Sequence, residues 1–474
     1  MYLDTIIHGG IVITMEEPGL GIINRGAVGI KGNQIAAVGP EDEIMRTYKA
    51  HRYVNAEKKV VMPGLIDAHT HTADACVRGM AQDREEWMQR AIYKAMTGVS
   101  YENRMVASKL ALLELMKTGT TTVQDFSVGM PDIIKNFDEL GLRGNVAEMV
   151  NELPANFHDI PRGEYFEFDH SLGQYGYQNT LKLIEMCRNR DDGMITCMIG
   201  PQAADMMSAE LLMDFKALSK KSGLDMHIHV SQGEREETQM VLRHGKRTIP
   251  FLAEKNFLDP TVHVVHLYSA TKQELEYVAK QGCSMTSCVS SVGMIDGMLP
   301  PVAEWKNLGG RAWAMGTDQP PGGSHNSMFY EMRATALVNK VCLQKPSMFT
   351  NYEMLRAATI GNAKAFGLDD RIGSLKVGKK ADVIILDLNY PYFHPIYTEP
   401  LRNIVPLIAS GANGNEVETV IIDGKFVVDE YKVLTVDEKK LMEEADKIAT
   451  YANDVYQDRY DGHLLKQYTD CGLY

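Results

Sequence analysis

No apolar run in this chain approaches the ~20 residues needed to cross a bilayer, so no membrane partner is expected. Cysteine is scarce as well. The seven thiols include no CxxC pair, which excludes a disulfide framework and fits reduced thiols in a cytosolic protein. Positive charge is outnumbered, 49 Lys and Arg against 62 Asp and Glu. A net charge of −13 argues against a nucleic-acid backbone or an anionic membrane as partner. The start, Met1-Tyr2-Leu3-Asp4, has no basic region and no apolar signal stretch. Cytoplasm is the expected location.

What is present is a globular composition, 45% apolar and 23% charged. The 474 residues predict two or three units and a large buried core. The 28 Met read mostly as core filler. One stretch organises the rest: Pro63-Gly64-Leu65-Ile66-Asp67-Ala68-His69-Thr70-His71. It begins apolar, as a buried strand does, and ends in two histidines at i, i+2. A strand has a side-chain period of two, so both imidazoles share a face. That is half of a metal site. Two strand-end histidines satisfying backbone groups is the plainer alternative.

The first sixty residues are β-rich. Ala27 to Ile30 and Ile35 to Val38 flank a hairpin loop, Lys31-Gly32-Asn33-Gln34. The texture returns late in the chain. Ala381 to Leu386 reads as a strand, and Val417 to Ile422 and Lys425 to Val428 flank Asp423-Gly424, the signal of a type I′ turn. The two ends, residues 1–61 and 372–434, are predicted to pack into one small β-sandwich. Residues 435–474 read as a terminal helix and tail, with Leu441, Ala445, Ile448 and Tyr451 at helical spacing.

Between the ends, residues 62–371 alternate strands with helical patterns. Ser100 can cap a helix with Met105, Val106, Leu110, Leu113 and Met116 on its apolar side, and Gly119 stops it. After the His-x-His strand and Thr120 to Asp125, six more strands are predicted: Arg143 to Val150, Met194 to Gln202, Leu224 to Gln232, Val262 to Ser269, Cys283 to Val289, and Arg311 to Gln319. Eight parallel strands with crossover helices predict an α/β fold, a (β/α)8 TIM-type barrel whose chemistry sits at the C-terminal strand ends.

Polar residues gather at those ends. Strand five closes with His227-Ile228-His229, again i, i+2. Strand six holds His263 and His266, three apart, so only one can point inward. His266 lies nearer the active rim. Strand eight ends Gly316-Thr317-Asp318. Each has a dull explanation alone: a satisfied core histidine, or a helix-capping Asp. Together they converge on one rim.

These motifs, with Arg78-Gly79, Phe329-Tyr330-Glu331-Met332-Arg333 and Gly373 to Asp382, resemble the amidohydrolase superfamily. The similar branch holds the S-adenosylhomocysteine, cytosine and guanine deaminases and the triazine hydrolases. The resemblance implies that His69, His71, His229 and Asp318 bind one divalent metal, that His266 polarises the substrate, and that Asp318 moves the proton. A divalent metal lowers the pKa of its water from about 15.7 to about 7, giving a hydroxide nucleophile, and an adjacent carboxylate can shuttle the proton. Strand four ends Gly200-Pro201-Gln202 without the bridging lysine of binuclear members, so one ion per chain is expected. Zinc is the expected ion and Fe2+ the alternative.

The substrate shell departs from the pattern. The deaminases' proton-donating Glu, three residues after the fifth-strand ligand, is Gln232 here, and the strand-four His is Gln202. The strand-seven His-Asn-Pro-x-Ser-Asn becomes Thr286 to Ser291, which brings in Ser287, and the loop after Asp318 brings in His325. Gln232, Gln202, Ser287 and His325 are therefore the candidate substrate contacts. Glu234, Glu236 and Glu237 read as the solvated start of a helix. The rewritten shell argues against a nucleoside deaminase. The expected activity is hydrolytic deamination of a small nitrogen heterocycle at an exocyclic amine or imine, with a creatinine-like ring as one form. The alternatives are chloride release or ring-amide opening, and a catalytically dead scaffold. A small-molecule substrate and a homo-oligomer are expected.

Overall fold

The computed structural model describes residues 2–16, 19–83, 86–161, 163–323 and 325–456. Its centre is two parallel sheets whose strands are buried on both faces almost throughout, including polar ones such as Thr120–Ser127. The first holds β1 (Leu65–Thr70), β2 (Thr120–Ser127), β3 (Arg143–Val150) and β4, which is split into Ile195–Cys197 and Gly200–Pro201. The second holds β5 (Met226–Val230), β6 (Val262–His266), β7 (Ser284–Ser287) and β8 (Ala312–Met315). Parallel bridges cross both seams: Ile199 and Ala203 meet Met226 and His229, and Thr70 meets Asp318.

Several expected strands stop short because the backbone turns left-handed at their C-terminal ends. Ser231 has φ 53°, His266 81°, Leu267 57° and Asp318 65°. Such angles are uncommon for non-glycine residues and cost energy that the surroundings must supply. Here they swing polar side chains onto one rim.

Ser100 caps the helix Tyr101–Lys117 by accepting from the Asn103 amide. The fully buried stripe of that helix runs through Ala107, Ala111, Leu112, Leu115 and Met116, while Met105, Val106 and Leu110 are only half-buried. Helices also follow the later strands, among them His170–Arg188, Ala209–Ser222, Lys272–Lys280 and Met328–Leu343.

Strands from the two chain ends join a single nine-stranded sheet. Its central pair is Lys59–Pro63 against Val383–Asp387, antiparallel with Val61 opposite Ile385. The end unit therefore reaches Pro63, two residues beyond the expected boundary. Asp423 (φ 49°) and Gly424 (φ 78°) are both left-handed, as a type I′ turn demands, and join Val417–Ile422 to Lys425–Asp429. Ile7, Val12, Val28, Ile30, Val61, Val383 and Ile385 share one apolar core. The helix Glu438–Tyr456 buries Leu441 and Ile448. The rest of the expected tail, 457–474, lies outside the described residues. Among the described residues no helix is long and apolar enough to cross a membrane.

One ion pair ties the end sheet to the strands of the site. Arg143, opening β3, donates to Asp382 through Nε at 2.7 Å and Nη2 at 3.0 Å, and both side chains are 4% exposed. Removing one partner of a buried pair costs roughly 3–5 kcal/mol when the other charge is left unmatched, but Arg143 also reaches the Asp423 carboxylate at 3.4 Å. Asp382→Ala should therefore lower unfolding stability by about 3 kcal/mol, the low end of that range, in urea denaturation, with metal content per folded chain unchanged.

Candidate metal centre and cavity

His69 and His71 leave the end of β1 on one face, and His229 leaves the end of β5 opposite them. In each ring the Nδ1 atom is already engaged. His71 Nδ1 lies 2.5 Å from the Phe126 carbonyl oxygen, and His229 Nδ1 lies 2.9 Å from that of Gln202. A carbonyl can only accept, so both rings carry their proton on Nδ1 and present a lone pair at Nε2. His69 Nδ1 lies 2.8 Å from Nε2 of His227.

The free Nε2 atoms converge. Those of His69 and His229 are 3.3 Å apart, and Asp318 Oδ1 stands 3.6 Å from His69 Nε2 and 3.5 Å from His71 Nε2. Zinc bonds of roughly 2.0–2.1 Å at tetrahedral angles place ligand atoms about 3.3–3.5 Å apart. His69, His71 and Asp318 therefore stand at the spacing of ligands to one small divalent ion, with His229 beside His69 as the fourth candidate. Burial pushes the His69 and His229 pKa values well below the usual imidazole range, which keeps the rings in the neutral form a metal requires.

The end of β8 is pressed against β1. The Asp318 amide donates to the His69 carbonyl at 2.7 Å, and the His71 amide donates back to the Asp318 carbonyl. A side chain at Gly316 would put Cβ 2.4 Å from the His69 nitrogen, so only glycine lets the strands approach. Asp67 completes the seam, accepting from the amides of His69 (3.1 Å) and Thr317 (3.0 Å) and from the Thr317 hydroxyl (2.5 Å). Burial raises its pKa to about 7.

His266 turns into the site. Its ring stacks on His229 at a 5.2 Å centroid distance, and neither ring nitrogen has a partner among the described residues. Burial pushes its pKa down to about 3. His263 turns away, with Nε2 3.1 Å from Asp225 and its ring stacked on Phe366.

His71 and His229 open onto a cavity of about 260 Å³ walled by Trp87, Met88, Tyr93, Phe157, Gln202 and Gln232 among others. The Gln202 amide donates to the Tyr93 hydroxyl at 3.1 Å and accepts from Asn151 at 2.6 Å. Among the described residues, Asp74 is the one carboxyl group in this lining.

Three expectations need correction. Ser287 is buried outside the cavity lining, because its hydroxyl accepts from the Trp313 indole at 2.8 Å. His325 is exposed and lies 3.8 Å from Glu114, also outside the lining. Glu236 and Glu237 are buried, not solvated. Glu236 accepts from the amides of Ser231 (2.9 Å) and Gln232 (2.7 Å), which sets the rim segment, and burial raises its pKa to about 8. Glu237 accepts from the Ser231 hydroxyl and the Thr248 amide.

Some site residues have little or no sequence signal. His227 does have one, its i, i+2 spacing to His229, which places it on the same face one layer deeper. Tyr93 and Asp74 come from the segment after β1, where no motif marks them.

A parallel α/β fold with three imidazoles and a carboxylate gathered at its rim is the arrangement of a metal-dependent hydrolase. The chain belongs to the amidohydrolase family, whose sequence model matches residues 60–427. Curated relatives that it matches are named as deaminases, enzymes that hydrolyse carbon–nitrogen bonds other than peptide bonds. It is similar to a 5-methylthioadenosine/S-adenosylhomocysteine deaminase of Thermoanaerobacter pseudethanolicus, 30% identical over 94% of this chain and 99% of the relative. Among solved structures it resembles a zinc-bound adenosine deaminase from Xanthomonas campestris (TM-score 0.85, 24% identity, 96% of this chain and 99% of that one). It also resembles a zinc-complexed atrazine chlorohydrolase from Arthrobacter aurescens (TM-score 0.80, 19% identity, 94% and 99%).

The outer partners of metal-bound histidines usually contribute 10–100-fold to metal affinity. His227→Ala should therefore weaken zinc binding by roughly that factor in a chelator competition, with the far-UV spectrum unchanged.

Proposed function

We propose that this chain hydrolytically deaminates an aminated nitrogen heterocycle of nucleoside type, with one zinc ion held by His69, His71, His229 and Asp318. The observation that carries the reading is the grouping of His69, His71 and Asp318, with His229 3.3 Å from His69, beside an apolar, aromatic cavity lined also by the amides of Gln202 and Gln232. The relatives' names support the substrate class, because the deaminases among them act on adenine nucleosides. They give no support to a creatinine-like ring, and they run against the expectation, drawn from the rewritten substrate shell, that the chain is not of the nucleoside-deaminase type. We further propose that the eight strands close into a (β/α)8 barrel, as the bridges at both seams suggest, and that the end sheet folds over its shared core as a sandwich.

A zinc ion in this place would acidify water and so supply a nucleophile at neutral pH. The protein's own groups do the rest. Asp318 Oδ2 has no hydrogen-bond partner among the described residues and is free to receive a proton. His266, neutral and unpartnered, can donate one hydrogen bond toward the ring atom under attack. Aromatic walls hold the flat ring and exclude water. Gln232 holds the substrate through its amide, which donates and accepts but cannot deliver a proton.

That last point favours a second reading, in which the leaving group needs no protonation. Chloride is such a group, and the atrazine chlorohydrolase shares the fold.

The zinc-loaded protein should be tested against adenine nucleosides, aminotriazines and chlorotriazines, with ammonia and chloride both measured. Ammonia release from the nucleosides is the expected outcome. Chloride release alone establishes the second reading, and no turnover by zinc-replete protein overturns both. Gln232→Glu should lower kcat/KM on the best substrate by roughly 10–100-fold, the worth of the ~1.5–3 kcal/mol of a hydrogen bond involving a charged group. Unchanged kinetics would remove Gln232 from the substrate shell.

A further inference from the structure

Cys288 is a fully buried thiol that the proposed hydrolysis leaves unused. It directly succeeds β7. The turn that carries it is pinned by Glu331, which accepts from the amides of Val289 at 2.7 Å and Ser290 at 3.1 Å. Its sulfur, a ring nitrogen of His266 and a carboxylate oxygen of Asp318 all lie within 4.8 Å of one another.

The neighbours of this group are incomplete. Both ring nitrogens of His266 lack partners among the described residues. Asp318 is used on one side only: Oδ1 faces His69 and His71, while Oδ2 is buried and unpartnered. A buried polar atom left unpaired costs about 1–3 kcal/mol, so such clusters call for an occupant. A thiol, an imidazole and a carboxylate together form a donor set for zinc or another thiophilic divalent ion.

We propose that His266, Cys288 and Asp318 form a second metal position, bridged to the first through the Asp318 carboxylate and filled by zinc in excess of one ion per chain. It rests on the first zinc position and not on the identity of the substrate. Bridged ions sit about 3.5–4 Å apart, a separation one carboxylate spans. As the zinc–sulfur bond forms, the Cys288 thiol releases its proton to solvent, and no electron is transferred. The second ion occupies the imidazole lone pair of His266 and the free oxygen of Asp318. Both groups assigned to polarising the substrate and moving the proton are then lost, so excess zinc should inhibit.

The test uses protein loaded with one zinc per chain and titrated with Co2+, a spectroscopically visible stand-in that does not outcompete zinc for the first position. A thiolate-to-cobalt charge-transfer absorption should grow and saturate near one added equivalent, with the zinc retained. Cys288→Ser and Cys288→Ala should abolish the band and the second equivalent and leave the first zinc bound. Inhibition by excess zinc should fall at least tenfold in sensitivity in the same variants. The wild-type spectrum decides the matter even where a variant folds poorly. Cobalt bound without a thiolate band, a band that appears only as zinc is released, or undiminished cobalt binding by the alanine variant would each overturn the proposal. Failure of the deamination assay leaves this test untouched, because the absorption band needs no substrate.

Discussion

The structure depends on the close approach of β8 to β1. Three of the four convergent side chains, His69, His71 and Asp318, are positioned by that one seam. The approach is possible because Gly316 presents no Cβ to the His69 backbone. It is held by the Asp318 amide donating to the His69 carbonyl, by the His71 amide donating back to the Asp318 carbonyl, and by Asp67 gripping Thr317. Asp318 adopts a left-handed φ there, a cost met by this network of seam contacts. The glycine, threonine and aspartate of the motif thus do three different jobs: clearance, anchorage and, in the proposed centre, ligation.

Burial does the electrostatic work. The imidazoles of His69, His229 and His266 are held neutral because a buried cation would be poorly solvated. A carbonyl oxygen behind His71 and another behind His229 then select the tautomer. The metal-binding form is therefore set before any ion arrives, so little reorganisation is needed on binding. The same burial raises the pKa values of Asp67 and Glu236 to about 7 and about 8. Both accept backbone amides, so their role is to shape the rim and not to act on substrate.

The substrate side is built differently. It is drawn from segments distant in the chain: Trp87, Met88 and Tyr93 after β1, Phe157 after β3, Gln202 after β4 and Gln232 after β5. Its hydrogen-bonding groups include four amides, Asn151, Gln202, Gln232 and Gln319, and the Tyr93 phenol, with Asp74 and Arg104 as charged groups. In the proposed reaction this surface orients the ring, and Asp318 at the metal side moves the proton. The departure at Gln232 is consistent with this division, since Glu236 behind it is committed to the backbone of Ser231 and Gln232.

The sequence alone determined the features set by local covalent geometry. The period of two puts His69 and His71 on one face, and it separates His266 from His263 by an odd offset. The Asp-Gly pair at 423–424 sets a type I′ turn, and Ser100 caps its helix. Strand positions were legible because short β-prone runs alternate with helical patterns along residues 62–371, even where a buried strand such as Thr120–Ser127 is largely polar. The tertiary structure decided whatever turns on partners far along the chain. Ser287 faces the indole of Trp313, His325 faces solvent near Glu114, and two of the glutamates after Gln232 are buried. His227 supports His69 across 158 residues. A residue's type says which hydrogen bonds it can make. Which one it makes depends on what the fold brings within about 3 Å, and no periodicity records that.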